Sequence, residues 1–272
     1  MKKIFKYSFL SIAFTVVLFS CNYSVKTEKT SDSETHQTSA GIKTDCNEVH
    51  WSHAAGESGP ENWKNLCDGF TACGGVAQSP INIVTSTIEE IGGLSPLNII
   101  YKSSKTDIIN NGHTVQFNTS GDNILLIGNK EYELEQFHFH ALSEHTINGY
   151  HYPIEVHFVH RHSDTDYVVL GIMYEEGEED PLLTEYLNNF PVSKGEFTSD
   201  KSIDLSKLYP AELSYYYYSG SLTTPPCSEI VSWYVLKTPL QASKAQVDKF
   251  SKILNNNYRP VMPLNDRKVY GF

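Results

Sequence analysis

Short segments in which apolar residues alternate with polar ones, or run together, recur between Cys46 and Phe272. Their length and period of two are typical of β-strands. Turn signals such as Asn111-Gly112 and Asn148-Gly149 separate them. The pattern predicts a large, twisted and mostly antiparallel central sheet. Its predicted strands are Leu97–Tyr101, Val115–Asn118, Asn123–Ile127, Tyr132–His140, Ile154–His160, Tyr167–Met173 and Ile230–Leu236.

Two stretches have helical rather than strand periodicity. Asp180 and Pro181 open the first, and Ser243 is suited to cap the second. No internal repeat and no linker-like change of composition interrupts residues 46–272. We therefore expect one β-dominated α+β domain over residues 46–272, with a few peripheral helices. The apolar helix faces are Leu183, Tyr186, Leu187 and Phe190 in the first and Val247, Phe250, Ile253 and Leu254 in the second.

The N-terminal residues have the pattern of an export signal. Basic residues precede an apolar run over Phe9–Phe19, which predicts a signal peptide over residues 1–20. Leu18–Cys21 also resembles the lipobox of bacterial lipoproteins, in which the cysteine is acylated. Residues 22–45 are too polar to form a core, so residues 21–45 are interpreted as a lipidated Cys21 and a flexible tether. The expected location is the periplasm or cell surface; an ordinary cleaved signal is the alternative.

Composition and charge narrow the function classes. The chain is 40% apolar and 19% charged, as in globular proteins. Its 21 basic and 32 acidic residues give a net charge of −11, without a basic stripe, which argues against a nucleic-acid partner.

Cysteine usage agrees with export. If Cys21 is lipidated, four of the five cysteines remain: Cys46, Cys67, Cys73 and Cys227. An even number in an oxidising compartment suggests two disulfides, with three possible connectivities. A structural zinc site is disfavoured because the spacing lacks paired CxxC motifs.

Seven of the eleven histidines fall between residues 138 and 162. In a strand, alternate side chains share a face, so Gln136, His138 and His140 project together, as do Glu155, His157 and Val159. Antiparallel pairing across residues 141–153 would bring three imidazoles together. Three histidines with an open fourth position are typical of catalytic zinc, and Gln136 and Glu155 could accept hydrogen bonds from the ligand rings. His145, His151, His160 and His162 are interpreted as hydrogen-bonded or solvated histidines outside the centre.

With these residues in place, the chain resembles the α-class carbonic anhydrases from about His50 to its C-terminus. No single motif is decisive, but together, in order and at family-like spacing, they are specific. The motifs are His50-Trp51, Gly59–Trp63, Gln78–Ile83, Asn110–His113, Phe137–His140, Ser143–His145, Glu155–His160, Gly220–Pro226 and Val231–Trp233.

The resemblance implies a role for each matching residue. His138, His140 and His157 would bind Zn²⁺, while Gln136 and Glu155 would accept hydrogen bonds from them. Thr223 would accept a hydrogen bond from zinc-bound hydroxide and donate its own proton to Glu144. Cys73–Cys227 would be a disulfide found in secreted members, and Cys46–Cys67 is the second expected pair. The apolar pocket for CO2 would comprise Val159, Val169, Leu222, Thr224, Val231 and Trp233.

The implied reaction is reversible hydration of CO2 to bicarbonate and a proton, by attack of zinc-bound hydroxide. An acid with a pKa near 7 cannot pass its proton to bulk water faster than about 10³ s⁻¹. Faster turnover needs a relay, and His113 matches the family's proton-shuttle position. One departure concerns His53, which stands where the family commonly has a tyrosine that orders solvent.

Two other functions fit parts of the sequence. His138-x-His140-x-x-x-Glu144 also resembles the first metal motif of cupins, in which Glu144 would bind iron or manganese directly. The glycines that flank that motif are absent, since positions 132 and 151 are Tyr and His. The third interpretation is a non-enzymatic surface module that binds a partner through its aromatic residues.

Overall fold

A large mixed β-sheet dominates the computed structural model, which describes residues 45–119, 123–191 and 193–272. The strands are β1 (Asn82–Ile83), β2 (Glu89–Glu90), β3 (Asn98–Ile100), β4 (Ser103–Asn110), β5 (Val115–Thr119), β6 (Ile124–Ile127), β7 (Lys130–His140), β8 (Thr146–Ile147), β9 (Tyr150–His151), β10 (Ile154–Ser163), β11 (Asp166–Glu176), β12 (Gly195–Asp204), β13 (Tyr215–Gly220), β14 (Val231–Leu236), β15 (Leu240–Ala242) and β16 (Tyr270–Gly271).

The main sheet follows the order β12-β4-β5-β7-β10-β11-β14-β13-β16-β2, with β3, β6 and β15 pairing beside this path. Most neighbours are antiparallel, as predicted, but β14 and β15 both pair with β11 in parallel, and β16 pairs with β2 in parallel. A small second sheet contains β1, β8 and β9. The described residues belong to one compact unit.

Each predicted strand overlaps an observed one. The longer strands β4, β12 and β13 were not predicted, and neither were the short strands β1, β2, β8, β9, β15 and β16. Buried and exposed residues alternate along the first part of β4, but the buried ones include the polar Ser104 and Thr106. The alternation in burial is therefore not accompanied by an alternation of apolar and polar residues. At the sheet edge, β12 pairs with β4, and its residues Gly195–Thr198 are exposed. Polar or exposed strands carry too weak an apolar alternation to be found by that criterion.

Both predicted helices are present. They are α2 (Pro181–Asn189) and α3 (Lys244–Leu254). The Asp180 side chain accepts from the Leu182 N–H at the start of α2, and Ser243 with Gln246 forms a capping box on α3. The single-turn helix α1 (Trp63–Leu66) was not predicted, because four residues are too few to show a period. The 3-10 helices are Cys46–Glu48, Asp68–Gly74, Thr85–Thr87 and Leu205–Lys207.

The two faces of β7 and β10 differ sharply in character. Phe137, Phe139 and Phe158 project into the main apolar core, where they pack with Phe117 and the buried side of α2. The opposite face carries polar side chains and a separate apolar cluster that includes Val159 and Trp233. The first face therefore anchors the strands, and the second is available for a site.

Two disulfides tie the N-terminal part of the described chain together. They join Cys73 to Cys227, the pair that the resemblance implies, and Cys46 to Cys67, the second expected pair. Trp63 and Phe70 pack around the sulfur atoms. The second disulfide secures the loop that follows β13 and carries Thr223.

The N-terminal interpretations lie outside the described residues. These are the signal peptide over residues 1–20, the lipidated Cys21 and most of the tether that ends at residue 45. From residue 45 onward, none of the described helices combines the length and apolar character needed to cross a membrane.

Candidate active site

Three histidines meet on the polar face where β7 and β10 pair. The strands are antiparallel, with His138 opposite His157 and His140 opposite Glu155. One nitrogen from each of the three imidazoles lies within 4.8 Å of the other two, so this group could hold a metal ion. The convergence follows from the alternation of side chains and from the register of the two strands.

Hydrogen bonds determine which nitrogen of the two β7 histidines faces the shared space. His138 Nδ1 donates to Gln136 Oε1 at 2.9 Å. His140 Nδ1 donates to the backbone oxygen of Asn257 at 2.6 Å. In each ring Nε2 is therefore the nitrogen that faces the space between the three imidazoles, which is called the centre below. His140 Nε2 is buried without a hydrogen-bond partner in the described part of the chain.

Glu155 orients the third histidine. His157 Nε2 donates to Glu155 Oε1 at 2.8 Å, which leaves Nδ1 facing the shared space. The other carboxylate oxygen accepts the backbone N–H groups of Glu144 and His145 at 2.8 and 2.9 Å. Burial raises the pKa of Glu155, but His145 and His157 hold it well below its usual range. The carboxylate is thus a charged and fully bonded support for His157.

His145 belongs to this support, a role that the sequence analysis did not assign. Its Nδ1 is 2.7 Å from Glu155 Oε1, and its Nε2 is 2.7 Å from the Tyr218 hydroxyl. The ring is fully buried and packs 4.7 Å from the Trp233 ring. The Ser143–His145 motif was a signal for this residue, but its partners lie on other strands.

The three imidazoles suit a divalent cation that prefers nitrogen ligands. Burial lowers the pKa of His138 well below its usual value, lowers that of His140 to about 4, and lowers that of His157. The rings are therefore neutral near pH 7, which is the form that binds metals. The unpaired Nε2 of His140 and the three convergent nitrogens fit the nitrogen ligand set of a Zn²⁺ site.

Glu144 lies beside the centre and is fully buried. Its Oε1 accepts the Arg259 backbone N–H at 2.8 Å, and its Oε2 is 3.5 Å from His140 Nε2 and 3.8 Å from His157 Nδ1. Burial raises the pKa of Glu144, against the opposing effects of His157, Thr223 and the Arg259 N–H. Thr223 is also buried and is close enough to Glu144 to lower the pKa of that carboxyl group.

Arg259 and Asn257 are components that sequence reasoning missed. The Arg259 guanidinium is buried, and its Nη1 donates to Gln78 Oε1 and to the Ser79 carbonyl, each at 2.8 Å. It also lies 5.2 Å from the centre of the Trp63 ring. Burial lowers its pKa to about 10. No local motif marks either residue, because their partners are more than a hundred positions away in the chain.

An apolar wall adjoins the centre. Val159 is opposite Val169 in the sheet, and Val169 is opposite Trp233. The Trp233 ring lies 4.8 Å from the His157 ring, and Leu222 packs against the same cluster. Val231 completes the cluster, whereas Thr224 is half-buried in the loop after Thr223.

A polar cavity of about 400 Å³ contains the predicted shuttle residue. The His113 ring stacks on Trp51, with centroids 3.7 Å apart and planes 10° from parallel. Burial lowers the pKa of His113, and the neighbouring His50 and Lys194 add to this effect. His53 lines the same cavity, 6.4 Å from His113 between ring centres.

The chain is similar to known proteins of one family. The family model for eukaryotic-type carbonic anhydrase matches residues 58–271. A carbonic anhydrase from Neisseria gonorrhoeae is 43% identical over 226 residues, which cover 82% of this chain and 88% of the relative. One from Pectobacterium atrosepticum is 40% identical over 224 residues, or 81% of this chain and 90% of the relative. The solved α-carbonic anhydrase of Thermovibrio ammonificans, in complex with the inhibitor sulfanilamide, has a TM-score of 0.78 and 42% identity, and covers 82% of this chain and 99% of that chain.

Proposed function

The chain belongs to the α-class, or eukaryotic-type, carbonic anhydrase family, and we propose that it hydrates CO2 reversibly at a zinc centre held by His138, His140 and His157. As a member of this family it is an enzyme, a lyase. The cupin interpretation and the interpretation as a non-enzymatic surface module are therefore wrong. The observation that carries the zinc assignment is the convergence of three neutral imidazoles, one of which has a buried, unpaired nitrogen.

Zinc bound there would supply hydroxide at neutral pH by lowering the pKa of water to about 7, an effect for which carbonic anhydrase is the standard example. The surrounding residues keep the ligand rings in place. Gln136, Asn257 and Glu155 each accept a hydrogen bond from one imidazole, which fixes its tautomer and direction.

Thr223 and Glu144 orient the nucleophile in this proposal. If the Thr223 hydroxyl donates to the Glu144 carboxylate, its oxygen is left as a hydrogen-bond acceptor. It can then accept from the attacking solvent oxygen and direct a lone pair at the carbon of CO2. The Arg259 backbone N–H donates to Glu144 Oε1 at 2.8 Å, so Glu144 Oε2 is the oxygen left to accept a hydrogen bond from Thr223.

The apolar wall excludes water from the position of CO2. Val159, Val169 and Trp233 are each less than a tenth exposed, and none offers a group that would compete for the nucleophile. After bicarbonate leaves, His113 takes the released proton as imidazolium and passes it to a buffer base. Its position at the cavity wall, half-buried, gives it access to solvent on one side.

The proposal includes export and a lipid anchor at Cys21. Two disulfides in the described residues support an oxidising location, because such bonds are rare in the cytosol. The basic start, the apolar run and the lipobox-like residues 18–21 support the anchor.

Stopped-flow CO2 hydration tests the function directly. We expect activity in the zinc-loaded protein, loss after chelation and recovery with Zn²⁺, together with a lower thermal unfolding temperature in the chelated form. His138→Ala should abolish activity and reduce zinc content. His162→Ala, at the exposed end of β10, is the matched control and should keep both. Hydration by protein shown to contain no zinc would contradict the proposal.

A further inference from the structure

The guanidinium of Arg259 is a buried cation next to the site, while the contact with Glu144 is made by the backbone N–H of this residue. The oxygen atoms that accept from the guanidinium are neutral: Gln78 Oε1 and the Ser79 carbonyl at 2.8 Å each, and the Cys73 carbonyl at 3.2 Å. Its Nε has no hydrogen-bond partner in the described ranges. A buried cation bonded in this way is a poor source of stability, because the desolvation of its charge is only partly offset. Its rigid set of donors can, however, hold separate segments at fixed distances.

Gln78 connects this guanidinium to the loop that carries Thr223. The Thr223 loop comprises residues 221–230, between β13 and β14. Gln78 accepts from the guanidinium through Oε1, and its Nε2 donates to the Cys227 carbonyl at 3.2 Å and to Glu229 Oε1 at 2.8 Å. Gln78 is buried, so bulk water does not compete for its side-chain amide. This side chain therefore holds the second half of the loop.

Ser79 holds the other end of the same loop. Its backbone N–H donates to the Ser221 hydroxyl at 2.9 Å, and its hydroxyl accepts the Ser221 backbone N–H at 3.0 Å. Both serines are fully buried. Because the Arg259 guanidinium donates to Gln78 and to the Ser79 carbonyl, one side chain is bonded to both residues that hold the Thr223 loop.

The conformation of the Thr223 loop needs support from outside the loop. Cys227 has a φ of 57°, in the left-handed region, which is unfavourable for a residue with a Cβ and persists where surrounding contacts impose it. The backbone N–H groups of Leu222 and Cys227 donate to carbonyls within the loop. Such internal bonds shape the loop without fixing its position in the molecule. Its position therefore depends on the disulfide to Cys73 and on the bonds described above.

We propose that Arg259 is a positioning residue, whose guanidinium holds the Thr223 loop in place relative to Glu144. The backbone N–H of the same residue holds Glu144 Oε1 at 2.8 Å. Arg259 is therefore bonded to both sides of the contact between Thr223 and Glu144, to the carboxylate directly and to the loop through Gln78 and Ser79. This inference rests on the proposed function and adds to it a residue that acts through Thr223 and not on the substrate.

Substitution of Arg259 in the zinc holoenzyme tests this role through a kinetic separation. Arg259→Met removes the guanidinium and keeps the backbone N–H. It should lower kcat/KM for CO2 about tenfold, less than the loss of about 10²-fold expected for removal of the Thr223 hydroxyl, because the hydroxyl is displaced but retained. In weak buffer, where proton release limits kcat, kcat should stay within about twofold of the parent. Zinc content should not change, and Arg259→Lys, which keeps a buried donor, should retain kcat/KM within about threefold.

Two glutamine variants separate this role from a general loss of stability. Gln78→Met breaks the connection between the guanidinium and Cys227, and it should also lower kcat/KM about tenfold. It tests the claim as well if Arg259→Met does not fold. Gln246→Met is the matched control, since Gln246 is also buried and its Nε2 donates to the Asp180 carbonyl and to Thr184, away from the site. It should change neither constant, and a tenfold loss of kcat/KM in this control would overturn the proposal.

A double-mutant cycle shows whether Arg259 acts through Thr223. In the Thr223→Ala background, Arg259→Met should have no further effect on kcat/KM, because the hydroxyl that the guanidinium positions is absent. A further tenfold loss in that background would overturn the proposal. So would an unchanged kcat/KM in Arg259→Met or in Gln78→Met, or equal losses of kcat and kcat/KM, which would indicate a smaller fraction of folded enzyme.

Amide hydrogen exchange tests the same claim without activity. The N–H groups of Leu222 and Cys227 report on the Thr223 loop, since both are bonded inside it. They should exchange about fivefold faster in Arg259→Met than in the parent, the factor that one lost hydrogen bond carries, and at the parental rate in Gln246→Met. Unchanged exchange in Arg259→Met would overturn the proposal. If the parent enzyme hydrates no CO2, the proposed function fails, whereas this measurement still decides whether Arg259 holds the loop.

Discussion

At the scale of single residues, the centre is built from imidazoles whose two nitrogens have different tasks. In His138, His140 and His157 one nitrogen is committed to a protein acceptor and the other faces the shared space. Because the rings are held before any cation binds, little reorganisation is needed on binding. The free energy of orienting them is supplied by folding.

Thr223→Ala should lower kcat/KM for CO2 hydration about 10²-fold, since one oriented hydrogen-bonding group at the nucleophile is lost. Zinc content should not change, because Thr223 is not among the converging ligands. Stopped-flow kinetics and metal analysis provide the measurements. Thr223→Ser keeps the hydroxyl and is the control, which should stay within about tenfold of the parent. A near-normal rate in Thr223→Ala would remove this residue from the mechanism.

His160 offers a test of pH-dependent stability away from the centre. Its ring is fully buried, 2.5 Å from the Tyr101 hydroxyl, and burial lowers its pKa to about 3. Between about pH 6.5 and 3 the unfolded chain therefore binds a proton that the folded chain does not. This histidine makes the free energy of unfolding fall as the pH falls through that window, by up to about 1.4 kcal/mol per pH unit.

Denaturant titrations between pH 6 and 4 measure that slope. His160→Gln should be less sensitive to pH than the parent by about one proton. His162→Gln, at an exposed position on the same strand, should keep the parental slope. Identical slopes for all three proteins would show that His160 is not buried in its neutral form.

At the scale of elements, β7 and β10 have opposite functions on their two faces. Phe137, Phe139 and Phe158 are essentially inaccessible and lock the strands into the core. The intervening residues are then held at fixed positions on the other face. The Thr223 loop has no comparable sheet pairing and depends on the Cys73–Cys227 disulfide nearby.

Removing that disulfide should cost more stability than removing the other one. Cys73 and Cys227 are 154 residues apart and Cys46 and Cys67 are 21 apart. On the chain-entropy model the two bonds contribute about 5 and about 3 kcal/mol, respectively. Paired Cys→Ser variants compared by denaturant unfolding should therefore differ by about 2 kcal/mol. The reverse order would show that loop entropy is not the dominant effect.

At the scale of the whole molecule, the site depends on segments that are remote in sequence. Asn257 and Arg259, from the segment after α3, reach His140 and Glu144. The Arg259 guanidinium in turn donates to the Gln78 side chain and to the Ser79 carbonyl, in the segment just before β1. The complete domain is therefore needed to hold the site.

The lipid anchor is a prediction about the full chain in its membrane. Expressed in a bacterium that processes lipoproteins, the chain should incorporate labelled fatty acid and fractionate with membranes. Cys21→Ser should lose the label and enter the soluble fraction, with unchanged CO2 hydration per molecule, because Cys21 precedes the described domain. Cys46→Ser provides the comparison for loss of a different cysteine. Equal labelling of parent and Cys21→Ser would contradict the anchor.

Local pattern was sufficient for much of this protein. The alternation around His138 and His157 predicted both a sheet and a shared face for the imidazoles, since side chains in a strand project with a period of two. The caps at Asp180 and Ser243 marked the starts of α2 and α3 for an equally local reason. The polar strand β4 could not be predicted in this way, because two of its buried residues, Ser104 and Thr106, are polar and its sequence shows no apolar alternation.

By itself, the sequence determined the β-rich class, the histidine set and Gln136 and Glu155 as the nearest acceptors, because these depend on neighbours within one or two strands. Only the tertiary structure decided that Asn257 orients His140, that Arg259 fixes Glu144 and that His145 supports Glu155. It also revealed that Gln78 lies between the Arg259 guanidinium and Cys227. These contacts join residues without a shared period or local motif, so they exist only once distant segments are packed together.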